Sequence, residues 1–489
     1  MTAVPSPESL VLLALLTPFA GGLIIPLFHK LPNLRETTTL VTAGILCITV
    51  FFLLPPVLAG VRPEVQIIEV APGLEFAFRI EPLGILFALV ASSLWVVNSI
   101  YSIGYMRANN EPRQTTFYVC FAVALGSSIG VAFAKNLFTL FLFYEGLTLS
   151  TYPLVTHERD EEAVRAGRIY LLLLLGTSLI LFLPAIVATW ALAGTIDFTP
   201  GGILAGKADT PILAALLALY VFGIGKAAVM PVHFWLPAAM VAPTPVSALL
   251  HAVAVVKAGV FAIVKVAVYV FGIDTLAKTG ANEWLIFVAS ASIITASLIA
   301  LSRDNLKARL AYSTVSQLAY VVLGAALATP TSIIGSGLQI AMHAAAKITL
   351  FFCAGAIYTA HHLSEVSKMA GIGRRMPITM LAFLVASLSI VGVPPLGGWS
   401  KWTLALGALD AGHVTVLGVL MLGSLLSAAY LLPIVARGFF LPSPRASTDD
   451  KVVIQEAPTA CLIALSCTAF LCIMLFFVAG RIDALLGGI

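Results

Sequence analysis

Eight ionisable side chains fall inside runs that are otherwise apolar: Glu145, Lys226, His251, Lys257, Lys265, His343, Lys347 and Lys401. At mid-bilayer such a group costs roughly 2.5–3.5 kcal/mol on insertion scales, so a row of them needs a reason. A carboxylate, imidazoles and amines without an accompanying nucleophile can share one kind of chemistry, the uptake and release of protons. Glu145 sits in Leu137-Phe-Thr-Leu-Phe-Leu-Phe-Tyr-Glu145 and suits pairing with a lysine. Lys226 precedes Pro231, where a broken helix would free carbonyls that solvate an ammonium. His343 and Lys347 are four residues apart, hence on one helix face, and suit proton hopping. Lys257 and Lys265, eight apart, project within roughly 80° of one another.

Plainer roles compete with each of these. Glu145 could be a neutral buried acid, and Lys226 could snorkel to an interface. For Lys265, nearer the outer end of its run, snorkelling and function stand level. His251 is equally well read as a proton carrier or as a polar helix–helix contact.

The elements that must hold these groups are membrane spans. Of 489 residues, 60% are hydrophobic and only 10% charged, with mean hydropathy +1.02. That balance excludes a water-soluble enzyme, a disordered chain and a nucleic-acid binder, and the net charge of +4 is no basic patch. On a ruler of about 20 apolar residues per span, fourteen candidates begin near residues 9, 38, 82, 115, 136, 168, 211, 243, 283, 310, 332, 376, 415 and 457. Residues 61–81 carry Arg62, Glu64, Glu69, Glu75 and Arg79 among alternating apolar pairs and read as an extended surface hairpin. The start, Met1-Thr-Ala-Val-Pro-Ser-Pro-Glu8, has no basic n-region, so the first run is expected to be a retained helix.

With both termini outside, inside loops hold 16 basic residues, Arg445 and Lys451 among them, and outside segments hold 6. This bias fits the positive-inside rule, and an odd number of spans would scramble it. Five lysines remain within spans: Lys226, Lys257, Lys265, Lys347 and Lys401. Pro231-Val-His-Phe-Trp235 and Pro395-Leu-Gly-Gly-Trp399 share a spacing, each with a lysine nearby. Proline removes a backbone donor, and breaks at matching places in two halves point to a midplane ion site.

Several chemistries have no visible site. The six cysteines lie in apolar runs without a C-x-x-C pair, which argues against iron–sulfur, zinc and disulfides. Neither a P-loop nor a dinucleotide fingerprint occurs, and no Ser–His or paired-carboxylate arrangement suggests hydrolysis. His361-His362 lack a nearby ligand set, so no metal and no cofactor is expected.

The motifs resemble a known family. Lys226…Pro231-Val-His-Phe-Trp-Leu-Pro237…Ala242-Pro-Thr-Pro-Val-Ser247…Lys257 is similar to the signature of the antiporter-like membrane subunits of respiratory complex I, membrane-bound hydrogenases and Mrp-type Na+/H+ antiporters. Asp304…Lys307…Ala311-Tyr-Ser-Thr-Val-Ser-Gln317 and His343-x-x-x-Lys347 look like that family too, and the resemblance runs from about 80 to 440. Lys401, the stop at Ile489 and Tyr430-Leu-Leu-Pro433 look most like the D-type member of Mrp antiporters or its hydrogenase homologues. His251, in contrast, resembles the larger A-type member of Mrp antiporters and related complex I subunits.

The resemblance implies an all-α polytopic membrane protein of about fourteen transmembrane helices, with two inverted five-helix repeats and helices broken at the midplane. Residues 1–110 would hold helices 1–3 and the outside hairpin, 111–272 the first repeat, 280–440 the second, and 441–489 an inside loop and the last helix. It implies Glu145 and Lys226 as a coupling pair, Lys257 as central relay, His343 and Lys347 as bridge, and Lys401 as second-half exit. The expected function is a proton-translocating, cation/proton antiporter subunit, which moves ions and is not itself an enzyme. The alternative is a proton-pumping membrane-arm subunit of a complex I-like NADH dehydrogenase or membrane-bound hydrogenase. Expected partners are other membrane subunits, the lipid bilayer and protons, with Na+ left open and no nucleic acid. The expected location is a bacterial-type cytoplasmic (inner) membrane.

Overall fold

A chain in hydrocarbon must satisfy its own backbone hydrogen bonds, and the apolar runs do so as helices. The computed structural model describes residues 6–442 and 453–488; Arg445, Lys451, Ile489 and the first five residues lie outside that range. Polar caps set the helix starts. Asn136 accepts from the Thr139 amide, Asp160 from Ala163, and Thr329 exchanges bonds with Ser332 in a capping box. These caps begin Leu137–Val155, Glu161–Ala193 and Pro330–His361.

Among the described residues, 11 helices are long and apolar enough to cross a membrane. That is short of the fourteen expected, for a physical reason in each missing case. Leu137–Val155 carries Glu145, two tyrosines and three threonines, which dilute its hydropathy. The other two are broken, so their apolar pieces, Thr210–Gly223 and Pro377–Val391, are too short to span alone. All fourteen expected runs are helical and begin within a few residues of their expected starts, apart from Pro32–Leu58 and Glu161–Ala193, which start six and seven residues earlier.

Residues 61–81 do form the hairpin, with Glu64–Ala71 antiparallel to Leu74–Arg79. Its base is joined to the bundle, Lys135 pairing with both Glu64 and Glu75 at 2.8 Å. The connections segregate to two ends. At one, Asn305 bridges Glu365, Asp304 accepts from Ser367, and Arg113 donates to the His157 carbonyl. At the other lie the hairpin, the Asn136–Asp197 bridge, and the Thr199 amide bonded to Tyr269. The first end carries most of the loop arginines.

Two helices, Thr244–Phe271 and Pro330–His361, are enclosed by the others along their most apolar stretches. They carry five of the eight ionisable residues singled out above. Thr244–Phe271 contains π-helical turns at Leu249–Val253 and Ala267–Phe271, local widenings that recur at functional sites. Gly259 lets this helix lie directly on the first break: a Cβ there would meet Ala227 N at 2.3 Å and Lys226 C at 2.4 Å.

Candidate functional site

The two breaks are stabilised by different side chains. After Gly223 the chain makes a single 3-10 turn, Gly225–Ala227, before helix resumes at Trp235. The Trp235 indole donates to the Gly225 carbonyl at 3.0 Å, beside the Ala228 amide, and the Lys226 amide donates to Tyr144 Oη at 3.1 Å. Lys226 thus lies within the break itself. In the second half, Pro377–Val391 ends at Gly392, φ +92°, and helix resumes at Gly398. Lys401 donates to the freed Val391 carbonyl at 3.2 Å and to Ser424 Oγ at 2.9 Å. Pro231 and Pro395 therefore occupy matching breaks, but Trp235 is buried where Trp399 is 42% exposed.

Glu145 and Lys226, expected as a pair, do not touch. Lys226 Nζ donates to the Tyr144 carbonyl at 2.8 Å and to Thr148 Oγ1 at 2.5 Å, and lies 3.2 Å from the Tyr144 ring centre. Both carboxylate oxygens of Glu145 are buried without a hydrogen-bond partner. Thr148 stands three residues on from Glu145, so the lysine occupies a neighbouring position on the same helix.

His343 and Lys347 share a face, yet each engages a different helix. His343 Nδ1 lies 2.5 Å from Lys257 Nζ, and its Nε2 has no partner. Lys347 Nζ donates to Ser313 Oγ at 2.8 Å. His251, in the first π-helical turn, is fully buried against Phe351, and neither ring nitrogen has a partner. A buried imidazole with both nitrogens unsatisfied costs free energy unless water or a moving partner reaches it.

Lys265, for which snorkelling and function stood level, does not snorkel. It is fully buried and pairs with Glu81 at 3.2 Å while donating to the Ala134 carbonyl at 2.6 Å. Arg79 also holds Glu81, at 2.9 Å. Glu81 reads in sequence as the last residue of a surface hairpin, yet it is 4% exposed. Glu36 is similar, buried between Arg107 and Arg35 at the start of its helix.

Neutral residues were the larger omission. From Lys347 a chain of buried side chains runs through Ser313, Tyr430, Ser427, Gln317 and Gln339 to Ser400, next to Lys401. Gln317 and Ser313 lie inside a motif already noted, but without charge they gave no signal. Beyond Lys401 is a cavity of about 770 Å³, walled by Trp399, Trp402, Met421 and Phe476.

On the arginine-rich side, a cavity of about 330 Å³ is lined by Glu111, Glu158, Tyr105, Thr244 and Lys307. Burial, with the Glu158 carboxylate beside it, pushes the Glu111 carboxyl up to about 7, against the opposing pull of Lys307 and Arg113. Lys307 donates to the Ala242 carbonyl at 2.6 Å, tying this side to the Pro-rich start of Thr244–Phe271.

Helical spans broken at two matching places, with ionisable groups buried along their interior, define an ion-translocating type of membrane subunit. The chain belongs to the NADH:quinone oxidoreductase/Mrp antiporter transmembrane family, whose description matches residues 134–427. It is 33% identical over 361 residues to NADH-quinone oxidoreductase subunit N of Desulforudis audaxviator, covering 72% of this chain and 71% of that one. It is 29% identical over 463 residues to a probable A/B component of a K(+)/H(+) antiporter of Rhizobium meliloti, covering 91% of this chain but only 45% of the relative. Its fold matches a chain of the Mrp complex from Dietzia sp. DQ12-45-1b with TM-score 0.86 at 22% identity, over 99% of this chain and 97% of that one.

Proposed function

We propose that this chain is a proton-translocating, antiporter-type subunit of a multisubunit membrane complex. The observation that carries this reading is the contact of Lys257 with His343, which joins the two central helices inside an apolar bundle. Proton-binding groups lie on either side of that contact. Glu145 and Lys226 form the coupling pair, separated in the state seen here and closing when the lysine leaves Thr148. Lys257 and His343 relay between halves, with His251 as a side carrier. Lys347 passes charge onward, and Lys401 is the exit beside the large cavity. Lys265, locked to Glu81, anchors the outer end of Thr244–Phe271.

Residues 111–272 and 280–440 are read as two inverted repeats, each containing one break. Partner subunits would cover the exposed apolar surface around Trp399, Trp402 and Met421. On the charge bias the arginine-rich end is read as cytoplasmic and both termini as outside, and the chain is read as belonging to a bacterial-type cytoplasmic membrane.

A second reading is a redox-driven pumping subunit, favoured by the similarity to an NADH-quinone oxidoreductase subunit. The relay would be the same, and only the energy source, held by partner chains, would differ. Purified intact complex in sealed vesicles separates the two. A pulse of Na+ or K+ should drive an internal pH change if the complex is an antiporter. A response only to an electron donor and acceptor would establish the redox reading, and no proton movement under either drive would refute both.

A further inference from the structure

The side chains from Lys347 to Ser400, the residue before Lys401, are continuous in hydrogen bonding but not in chemistry. Lys347 Nζ donates to Ser313 Oγ at 2.8 Å, and Tyr430 Oη donates to the same hydroxyl at 2.9 Å. Ser427 Oγ meets Tyr430 Oη at 3.1 Å. Gln317 Nε2 donates to Ser427 Oγ at 3.4 Å, and Gln339 Nε2 donates to Gln317 Oε1 at 3.0 Å. Ser400 Oγ then donates to Gln339 Oε1 at 2.7 Å. All six bridging residues are buried.

A hydroxyl accepts one proton and releases another, so it can hand charge along. A carboxamide cannot do so readily: its nitrogen has no available lone pair, and its oxygen is a very weak base. Two amides in series therefore interrupt the row. They are also its most constrained part, since each amide oxygen is engaged by a donor and each nitrogen donates onward. Their four elements are Leu306–Leu327, Pro330–His361, Val414–Phe440 and Gly398–Asp410, so the pair fixes how these helices sit together.

We propose that Gln317 and Gln339 form a gate, a link that joins the Lys347 and Lys401 regions mechanically while stopping protons between them. This rests on the proton-translocating reading and deepens it. When the pair parts, water bridges that gap and the step from Ser400 to the Lys401 amine, which are not hydrogen-bonded to one another. One Nζ–H bond of the Lys347 ammonium then breaks and one forms on neutral Lys401, each bridging hydroxyl and water gaining one proton and losing one. With the pair closed, charge waits at Lys347. An amide link serves this purpose better than an apolar plug, because it can exchange its bonds for water without leaving buried polar groups unsatisfied.

The test is passive proton leak through the intact complex in sealed vesicles, with no driving ion or electron donor. An imposed pH difference should collapse several-fold faster with Gln339→Glu or Gln317→Glu, because a carboxyl can take up and release the proton. Gln339→Ser buries no charge and leaves room for water, so it should leak as well and guards against misfolding of the acidic variants. Gln339→Asn keeps the amide and should stay at the wild-type rate. Adding Lys401→Ala to a leaking variant should seal it again. Wild-type leak rates in assembled Gln339→Ser and in either acidic variant would overturn the gate. Leak needs no coupled transport, so this failure is distinct from normal coupled transport by Lys257→Ala, which would overturn the underlying reading.

Discussion

Lys257 and His343 belong to different helices, yet the lysine Nζ lies 2.5 Å from the imidazole Nδ1. Two nitrogen bases in hydrogen-bond contact can hold one proton between them, with either the ammonium or the imidazole as donor. The free Nε2 of His343 leaves a second side through which a proton can leave. On the relay reading the two residues act as one unit. Lys257→Ala and His343→Ala should each reduce ion-coupled transport about tenfold or more, equivalent to some 1.4 kcal/mol of barrier. The double variant should be little worse than either, and multiplicative losses at matched complex levels would contradict a shared role.

Glu145 and Lys226 pose a different question, because the acid stands unpaired while the lysine is held by Tyr144 and Thr148. If the pair closes during turnover, Glu145→Gln should assemble but transport poorly, and Glu145→Asp should retain part of the activity. Thr148→Val removes one of the lysine's two resting contacts, so it should alter rate without abolishing transport. Initial rates of vesicle acidification across these variants provide the check.

Gly259 offers a stability test. A methyl there would press into backbone at Lys226 and Ala227, which cannot move aside as a side chain would. Gly259→Ala should destabilise the protein by about 1–3 kcal/mol, the usual cost of overpacking. Thermal melting of the solubilised complex measures it. An unchanged midpoint would mean that the helix and the break are not in such close contact.

Glu111 predicts a pH dependence. Its carboxyl is raised from 4.5 to about 7 by burial and by Glu158, so the folded chain holds a proton there that an unfolded chain has already lost. Where the native state binds more protons, stability falls as pH rises. This contribution is present below about pH 4.5 and is lost as pH climbs through 7. Glu111→Gln should flatten that decline, visible in melting temperatures between pH 5 and pH 8 as a smaller drop than in the wild type.

Topology can be checked on two loops. A reporter inserted at Gly73, the hairpin tip, should be exported, and one at Arg374 should remain cytoplasmic. Finding both on the same side would contradict the even alternation of spans.

Much of this was legible in the sequence, because hydropathy and charge act locally. Apolar length fixes the helices, Pro231 and Pro394-Pro395 mark the breaks, and isolated lysines stand out against 60% hydrophobic surroundings. What was not legible depends on which helix faces which. His343 and Lys347 share a face by spacing, but nothing along the chain shows that the first meets Lys257 and the second Ser313. Glu81 looked superficial because nothing along the chain shows that Lys265, from a distant helix, reaches it and buries it. Gln317, Gln339 and Ser427 are neutral, so no insertion cost singled them out. Only their convergence in space does so.

The central claim is that protons cross the subunit through Lys257. The most direct test is the pH change generated in sealed vesicles by assembled complex carrying Lys257→Ala, driven by its own cation gradient or redox couple and normalised to complex content. The account predicts loss of nearly all proton movement while the complex remains assembled. Wild-type proton movement in that assembled variant would contradict it.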